Sequence, residues 1–264
     1  MTKGAGGRRD DIRGVLLDLD GVLYVDDVLI EGTLDVIDWL QGQSLPFRYI
    51  TNTSTKTREQ LAAHLADLGL PVGPESVFSA VQATQTWLAE QGISRIAVIV
   101  NDSVRGSLAA SFEIDETAPE AVVIGDIGTA WDYARLNRAF QWLVNGARLV
   151  CIHRNRYWKT GDSLALDIGA FVAGLEYAAQ VEAVVIGKPA NAFFQAACAS
   201  LGLQPAEVAV VGDDVESDIG GAIKAGCTGV LVETGKYRPE LVKRSGITPD
   251  YQIASIAKLP ELLG

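Results

Sequence analysis

Residues 15–24 read VLLDLDGVLY, an apolar run that ends in two aspartates one residue apart and then a glycine. This is the signature of a buried strand that delivers two carboxylates to one spot. Side chains at i and i+2 on an extended strand point the same way, so Asp18 and Asp20 emerge together at the strand's carboxyl end. Two like charges held that close call for a cation. A hard divalent ion such as Mg²⁺ takes oxygen ligands and suggests phosphoryl chemistry. Taken alone, the motif also fits a strand that ends in a solvated acidic turn.

Further along the chain, apolar runs alternate with helical segments, the pattern of parallel α/β layers. Strands are expected at 15–17, 47–50, 96–100, 122–124, 149–152, 184–186, 208–211 and 229–232. Helical spacing marks 33–41, 58–68, 81–91, 133–144, 168–180, 190–201 and 217–225, with glycines 42, 69, 92, 146, 202 and 226 read as C-terminal stops. Residues 79–183 carry their own strands and helices. They are expected to form an inserted domain, with 1–78 and 184–264 making the core.

Composition removes several function classes. The chain has 264 residues, 48% of them hydrophobic, enough for a well-buried core. Its net charge of −11 argues against a general nucleic-acid or anionic-membrane binder, both of which need a positive surface. Cys151, Cys198 and Cys227 are far apart in sequence, lack CxxC spacing and sit in apolar surroundings, so buried reduced thiols are expected. The opening MTKGAGGRRDD has no apolar signal-peptide run, and no stretch of about 18 apolar residues occurs. A cytoplasmic protein is the expectation.

Three more clusters fall where strands are expected to end, and in an open parallel sheet such ends converge on one ligand site. YITNTS, residues 49–54, runs a strand into hydroxyl and amide groups suited to holding phosphate, or into simple helix capping by Ser54, Thr55 or Thr57. IGKP, residues 186–189, sets Lys188 in a stiff frame, as a charge-balancing cation or a surface turn lysine. VAVVGDDVESD, residues 208–218, ends a strand in acids. There Asp213 completes an oxygen-rich site and Asp218 holds a metal-bound water or orients Lys188; Asp214 and Glu216 also fit solvated helix-start acids.

These four motifs in this order resemble the haloacid dehalogenase (HAD) superfamily, and the resemblance spans nearly the whole chain. The inserted segment resembles the large α/β cap of the NagD-like branch, and IHRNRYWKTGDSLALDIGAFVAGLEYA and VETGKYR resemble a closer group of relatives still. The resemblance implies a Rossmannoid parallel-sheet α/β core with an inserted α/β cap and a phosphatase acting on small phosphoesters. It makes Asp18 the nucleophile that becomes an aspartyl-phosphate and Asp20 the acid and base. Thr51, Asn52 and Lys188 would hold phosphate. Mg²⁺ would bind Asp18, Asp213 and the backbone carbonyl of Asp20, with Asp218 and then Asp214 as outer-shell partners. A homodimer through the cap is common in this branch and stands as an expectation.

Asp20 separates reaction types: related pumps carry threonine there, so an aspartate favours rapid breakdown of the phospho-enzyme. The substrate is less legible. Leu166-Asp167-Ile168-Gly169 departs from the glycine-proline-glycine pattern of the nearest relatives. In the stretch from His153 to Lys159, Arg156, Tyr157 and Trp158 could grip a leaving group with Asp167, or form a surface or dimer loop. His153 lacks a partner histidine at ligand spacing, and His64 reads as a packing or surface residue. A receiver-type signalling module is about twice too short for this chain. A phosphotransferase or mutase with the same intermediate, or a sensor of phosphorylated ligands, are the remaining alternatives.

Overall fold

Val15, Leu16 and Leu17 are completely buried, which explains why the first strand carries no polar alternation. In this computed structural model, residues 11–70, 72–160 and 163–264 are described, without the side chains of 158–160 and 163–164. The chain forms two compact units. One comprises 1–51, 59–78 and 188–264; the other comprises 52–58 and 79–187.

The first unit is built on a six-stranded sheet in the order Tyr251–Ile253, Thr228–Val232, Val208–Gly212, Gly14–Asp18, Phe47–Thr51, Val77–Ser79. Leu17 lies beside Val211 on one side and Tyr49 on the other, both in parallel register. Chain order reverses across this strand, the place where open parallel sheets bind ligands. Val15, Leu17, Tyr49, Val211 and Val230 pack with Ile37, Leu40, Leu61 and Leu65 of the helices Thr33–Gly42 and Arg58–Asp67. Burial of these side chains contributes about 1.5–3 kcal/mol each.

The second unit has a five-stranded sheet in the order Val184–Val185, Arg148–Cys151, Ala121–Ile124, Arg95–Ile99, Glu113–Ile114, with every pair parallel. Its core joins Ile99, Val122 and Leu149 to Ala139 and Leu143 of the helix Tyr133–Val144 and to Val172 and Leu175 of the helix Gly169–Ala179. A short antiparallel hairpin pairs Tyr157 with Leu166.

Local details depart from the sequence reading. Gly42 lies inside its helix, and the left-handed residue is Ser44 at φ 53°. The glycines 69, 92, 146, 202 and 226 do take positive φ. The helix expected at 217–225 begins at Val215, with a wide-turned segment Val215–Gly220 ahead of Gly221–Ala225. A helix at Asp102–Ala109, capped by Asn101 Oδ1 accepting from Val104 N–H at 3.0 Å, is not among the expected ones, because Gly106 interrupts its pattern. Cys151, Cys198 and Cys227 are buried free thiols. No helix among the described residues is long and apolar enough to cross a membrane.

Candidate active site

The carboxyl ends of the central strands of the first unit gather its polar residues. Asp18 closes its strand beside Ile50, Thr51 ends the next strand, and Asp213 follows directly on Gly212. Asp18, Thr51, Lys188, Asp213 and Asp218 are all buried. Lys188 Nζ lies 2.7 Å from Asp18 Oδ1 and 2.7 Å from Asp218 Oδ1. Asp18, Asp213 and Asp218 each offer a carboxylate oxygen within 4.8 Å of the others. Asp213 Oδ1 is buried with no hydrogen-bond partner among the described residues.

Such crowding sets the charge states. Burial, reinforced by Asp218 and opposed by Lys188, pushes the Asp18 carboxyl up to about 7. Burial and the charges of Asp18 and Asp218 likewise raise Asp213, against the pull of Lys236. Burial alone would lower Lys188, but Asp18 and Asp218 outweigh it and hold the ammonium charged. A cluster of acids that resists ionising together is one that a cation would complete. Both Asp218 oxygens are engaged, Oδ1 by Lys188 and Oδ2 by the Asp214 N–H at 3.1 Å, whereas Asp213 keeps Oδ1 unshared. Asp18, Asp213 and Asp218 could together hold a hard cation such as Mg²⁺, and Asp213 Oδ1 has neither a hydrogen bond nor an ion pair among the described residues.

The turn after Asp18 folds back on itself. Gly21 N–H donates to Tyr24 O at 2.8 Å and Leu23 N–H to Leu19 O at 2.9 Å, leaving Asp20 exposed. Asp214 caps the Val215–Gly220 segment, its Oδ1 accepting from the N–H groups of Glu216 and Ser217 at 3.0 Å each. His64 packs edge-on to Tyr24 and sits 3.2 Å from Asp27 Oδ1.

Other sequence candidates belong to the second unit. Asn52 begins its 52–58 segment, where a Cβ on Gly187 would fall 2.4 Å from Asn52 Oδ1. Ser54 does not cap the following helix. It is buried, 3.1 Å from His153 Nε2, and its Oγ accepts from Asp126 N–H at 3.0 Å. His153 points inward, while Arg154, Arg156 and Tyr157 are exposed. Asp167 is buried, with Oδ1 accepting from Ile168 N–H at 2.7 Å and lying 4.0 Å from His153 Nε2. Arg156 stands 6.0 Å over the Tyr157 ring, and the Trp158 side chain lies outside the described residues.

One part of the site went unread as function in the sequence: the loop Thr234, Gly235, Lys236. Thr234 Oγ1 donates to Gly21 O, and Lys236 N–H donates to Asp213 Oδ2 at 2.7 Å. The one signal available was the glycine between two polar residues just past a buried strand.

A parallel-sheet α/β unit whose lysine bridges the strand-end Asp18 and Asp218 of the following helical segment, joined to a second α/β unit, fits the hydrolases of the HAD class. The chain belongs to the haloacid dehalogenase-like hydrolases, in the NagD-like branch, and is a phosphoric monoester hydrolase. The haloacid dehalogenase-like hydrolase family model matches residues 15–111, and the HAD-hydrolase-like model matches 185–259. Phospholysine phosphohistidine inorganic pyrophosphate phosphatase of Xenopus laevis is 36% identical over 260 residues, covering 96% of this chain and 94% of the relative. Haloacid dehalogenase-like hydrolase domain-containing protein 2 of Bos taurus is 37% identical over 230 residues, 87% of each chain. Among solved structures, 4-nitrophenylphosphatase from Thermotoga maritima superposes with TM-score 0.91 at 25% identity, covering 97% of this chain and 99% of that one. NagD from E. coli K-12 shares the fold, with TM-score 0.86, 24% identity and coverage of 94% and 98%.

Proposed function

We propose that the protein hydrolyses small phosphomonoesters with Mg²⁺ through an aspartyl-phosphate on Asp18. The observation that carries this reading is Lys188 held 2.7 Å from both Asp18 and Asp218, beside an Asp213 oxygen that is buried and unshared. Asp18 attacks phosphorus while the departing oxygen takes a proton from Asp20. Asp20 then takes a proton from the water that attacks the same phosphorus, releasing phosphate and restoring Asp18. Exposure of Asp20 supports this exchange, since its proton must reach both substrate and water.

Lys188 stabilises charge on Asp18 and on the phosphoryl oxygens, which Thr51 and Asn52 hold in place. Asp218 fixes Lys188. The chemistry Mg²⁺ supplies when held by Asp18, Asp213 and the Asp20 carbonyl is neutralisation of the acids and polarisation of a phosphoryl oxygen. Asp214 supports the site as the cap of the segment that presents Asp218.

We read the second unit as the cap that selects the leaving group, with Arg156, Tyr157 and Trp158 as the residues to test. Burial of Asp167 beside His153 favours holding that loop over gripping substrate. A homodimer through this unit is supported by the exposure of Tyr133, Tyr177 and Leu166.

The test is phosphate release from a panel of small phosphoesters, with Mg²⁺ and with EDTA, using Asp18→Asn as the blank. The name of the Xenopus laevis relative adds phospholysine, phosphohistidine and pyrophosphate to that panel. Mg²⁺-dependent release lost in the variant supports the reading. Release that survives EDTA, or that survives in Asp18→Asn, contradicts it.

A further inference from the structure

Two lysines are coupled to the acids of the site, and their situations differ. Lys188 is buried and committed, paired with Asp18 and Asp218. Lys236 is exposed, and among the described residues no carboxylate lies within ion-pair distance of its ammonium. Its backbone is nonetheless locked to the site by the N–H bond to Asp213 Oδ2 at 2.7 Å. The two flanking contacts hold that backbone in place: Thr234 Oγ1 bonds Gly21 O, and a Cβ on Gly235 would fall 2.4 Å from Gly21 Cα. Its ammonium is thus tied to the site through the main chain while bonded to none of the site's carboxylates.

A side chain anchored at its backbone, charged, unpaired and open to solvent is placed to meet an incoming anion. We propose that Lys236 is a substrate-binding residue that contacts the phosphoryl oxygens of the ester and of the phosphate product. This rests on the phosphatase reading. Charge balance gives the physical reason. Three buried acids are offset by Lys188 and, when present, a divalent cation, which leaves nothing in excess to attract a dianion. Lys236 supplies that excess at the solvent side, where it strengthens capture without being consumed by the resident acids.

The experiment uses inorganic phosphate and the Mg²⁺-loaded protein, so that binding is read without turnover. Calorimetric titration compares wild type, Lys236→Gln and Lys236→Arg, and a parallel titration measures Mg²⁺ affinity. Loss of one charge-assisted contact predicts about a five- to tenfold weaker phosphate Kd in Lys236→Gln, with recovery to about twofold of wild type in Lys236→Arg. KM for a phosphoester rises by a similar factor, and kcat changes far less. Both variants keep the N–H that holds Asp213, so Mg²⁺ affinity does not weaken.

Phosphate Kd unchanged in Lys236→Gln, with Mg²⁺ bound more tightly, would make Lys236 a counter-ion of the acids and overturn the proposal. A wild type that binds no phosphate at millimolar concentration overturns it as well. A wild type that binds phosphate through Lys236 but releases none from any ester leaves this inference standing and removes the hydrolase reading alone.

Discussion

Gly235 meets Gly21 back to back: a Cβ on Gly235 would fall 2.4 Å from Gly21 Cα and 2.1 Å from Asp213 Oδ2. Both glycines also have left-handed backbones, at φ +59° and +83°. Gly235→Ala therefore meets backbone strain and overpacking together, a cost of roughly 2–4 kcal/mol. Because the same contact displaces Asp213, turnover should fall by more than about 100-fold. Urea unfolding and phosphate release check the two halves of this prediction. A stable, active Gly235→Ala protein would show that the loop yields easily and does not set the site.

Lys188 sits between two buried carboxylates, and removing it strands both. Lys188→Ala should cost about 3–5 kcal/mol of stability without metal, since an unpaired buried charge is far more costly than a lost surface pair. Saturating Mg²⁺ should return part of that loss, because it supplies positive charge to the same oxygens. Turnover should not return with it. Denaturant midpoints with and without Mg²⁺ are the measurement, and a midpoint indifferent to both changes would contradict the pairing.

Metal binding and protonation compete at Asp18. Its folded-state carboxyl, at about 7, lies above the ordinary aspartate value of 3.8, so the native state holds this proton more tightly than the unfolded chain does. In metal-free protein that contribution to stability is fully present below about pH 4 and is lost as pH rises through about 7. Mg²⁺ needs the ionised carboxylates, so the rise in Tm it produces should be small at pH 5.5 and grow up to pH 8. Thermal melts with and without Mg²⁺ across that range test the sign. A Tm gain that stays flat or shrinks with pH would mean the acids are already ionised without metal.

In the second unit, Ser54 and Asp167 both depend on His153 for their surroundings. His153→Ala should destabilise the protein by about 0.5–1.5 kcal/mol by removing the ring's hydrogen bond with the buried Ser54 hydroxyl, which keeps the Asp126 N–H. Calorimetry of the variant decides; a Tm within a degree of wild type would mean water replaces the ring at no cost.

The sequence made the core strands legible because their apolar runs are continuous and end in polar residues that point one way. Asp18, Lys188, Asp213 and Asp218, separated by up to 200 positions, were readable as one cluster because parallel strands bring their carboxyl ends together. What stayed hidden depends on tertiary contact. The edge strands Val77–Ser79 and Tyr251–Ile253 are too short for a periodic signal. Ser54 carries a good cap residue's chemistry, yet His153, 99 positions away, claims its hydroxyl. His153 looked like part of a surface loop because only its neighbours are exposed. The place of Lys236 in the site is not legible in VETGKYR, since its link to Asp213 runs through a backbone N–H that every residue but proline possesses.

The central claim is that Asp18 carries the phosphoryl group, and trapping that group tests it most directly. Asp20→Asn should slow release of the intermediate more than its formation, so acid quenching after mixing with a ³²P-labelled phosphoester and Mg²⁺ should leave label on the protein. The account predicts hydroxylamine-sensitive label, mapped by peptide digestion to Asp18 and absent from the Asp18→Asn, Asp20→Asn double variant. Label on another residue, or turnover by wild type with no labelled protein at any quench time, would contradict it.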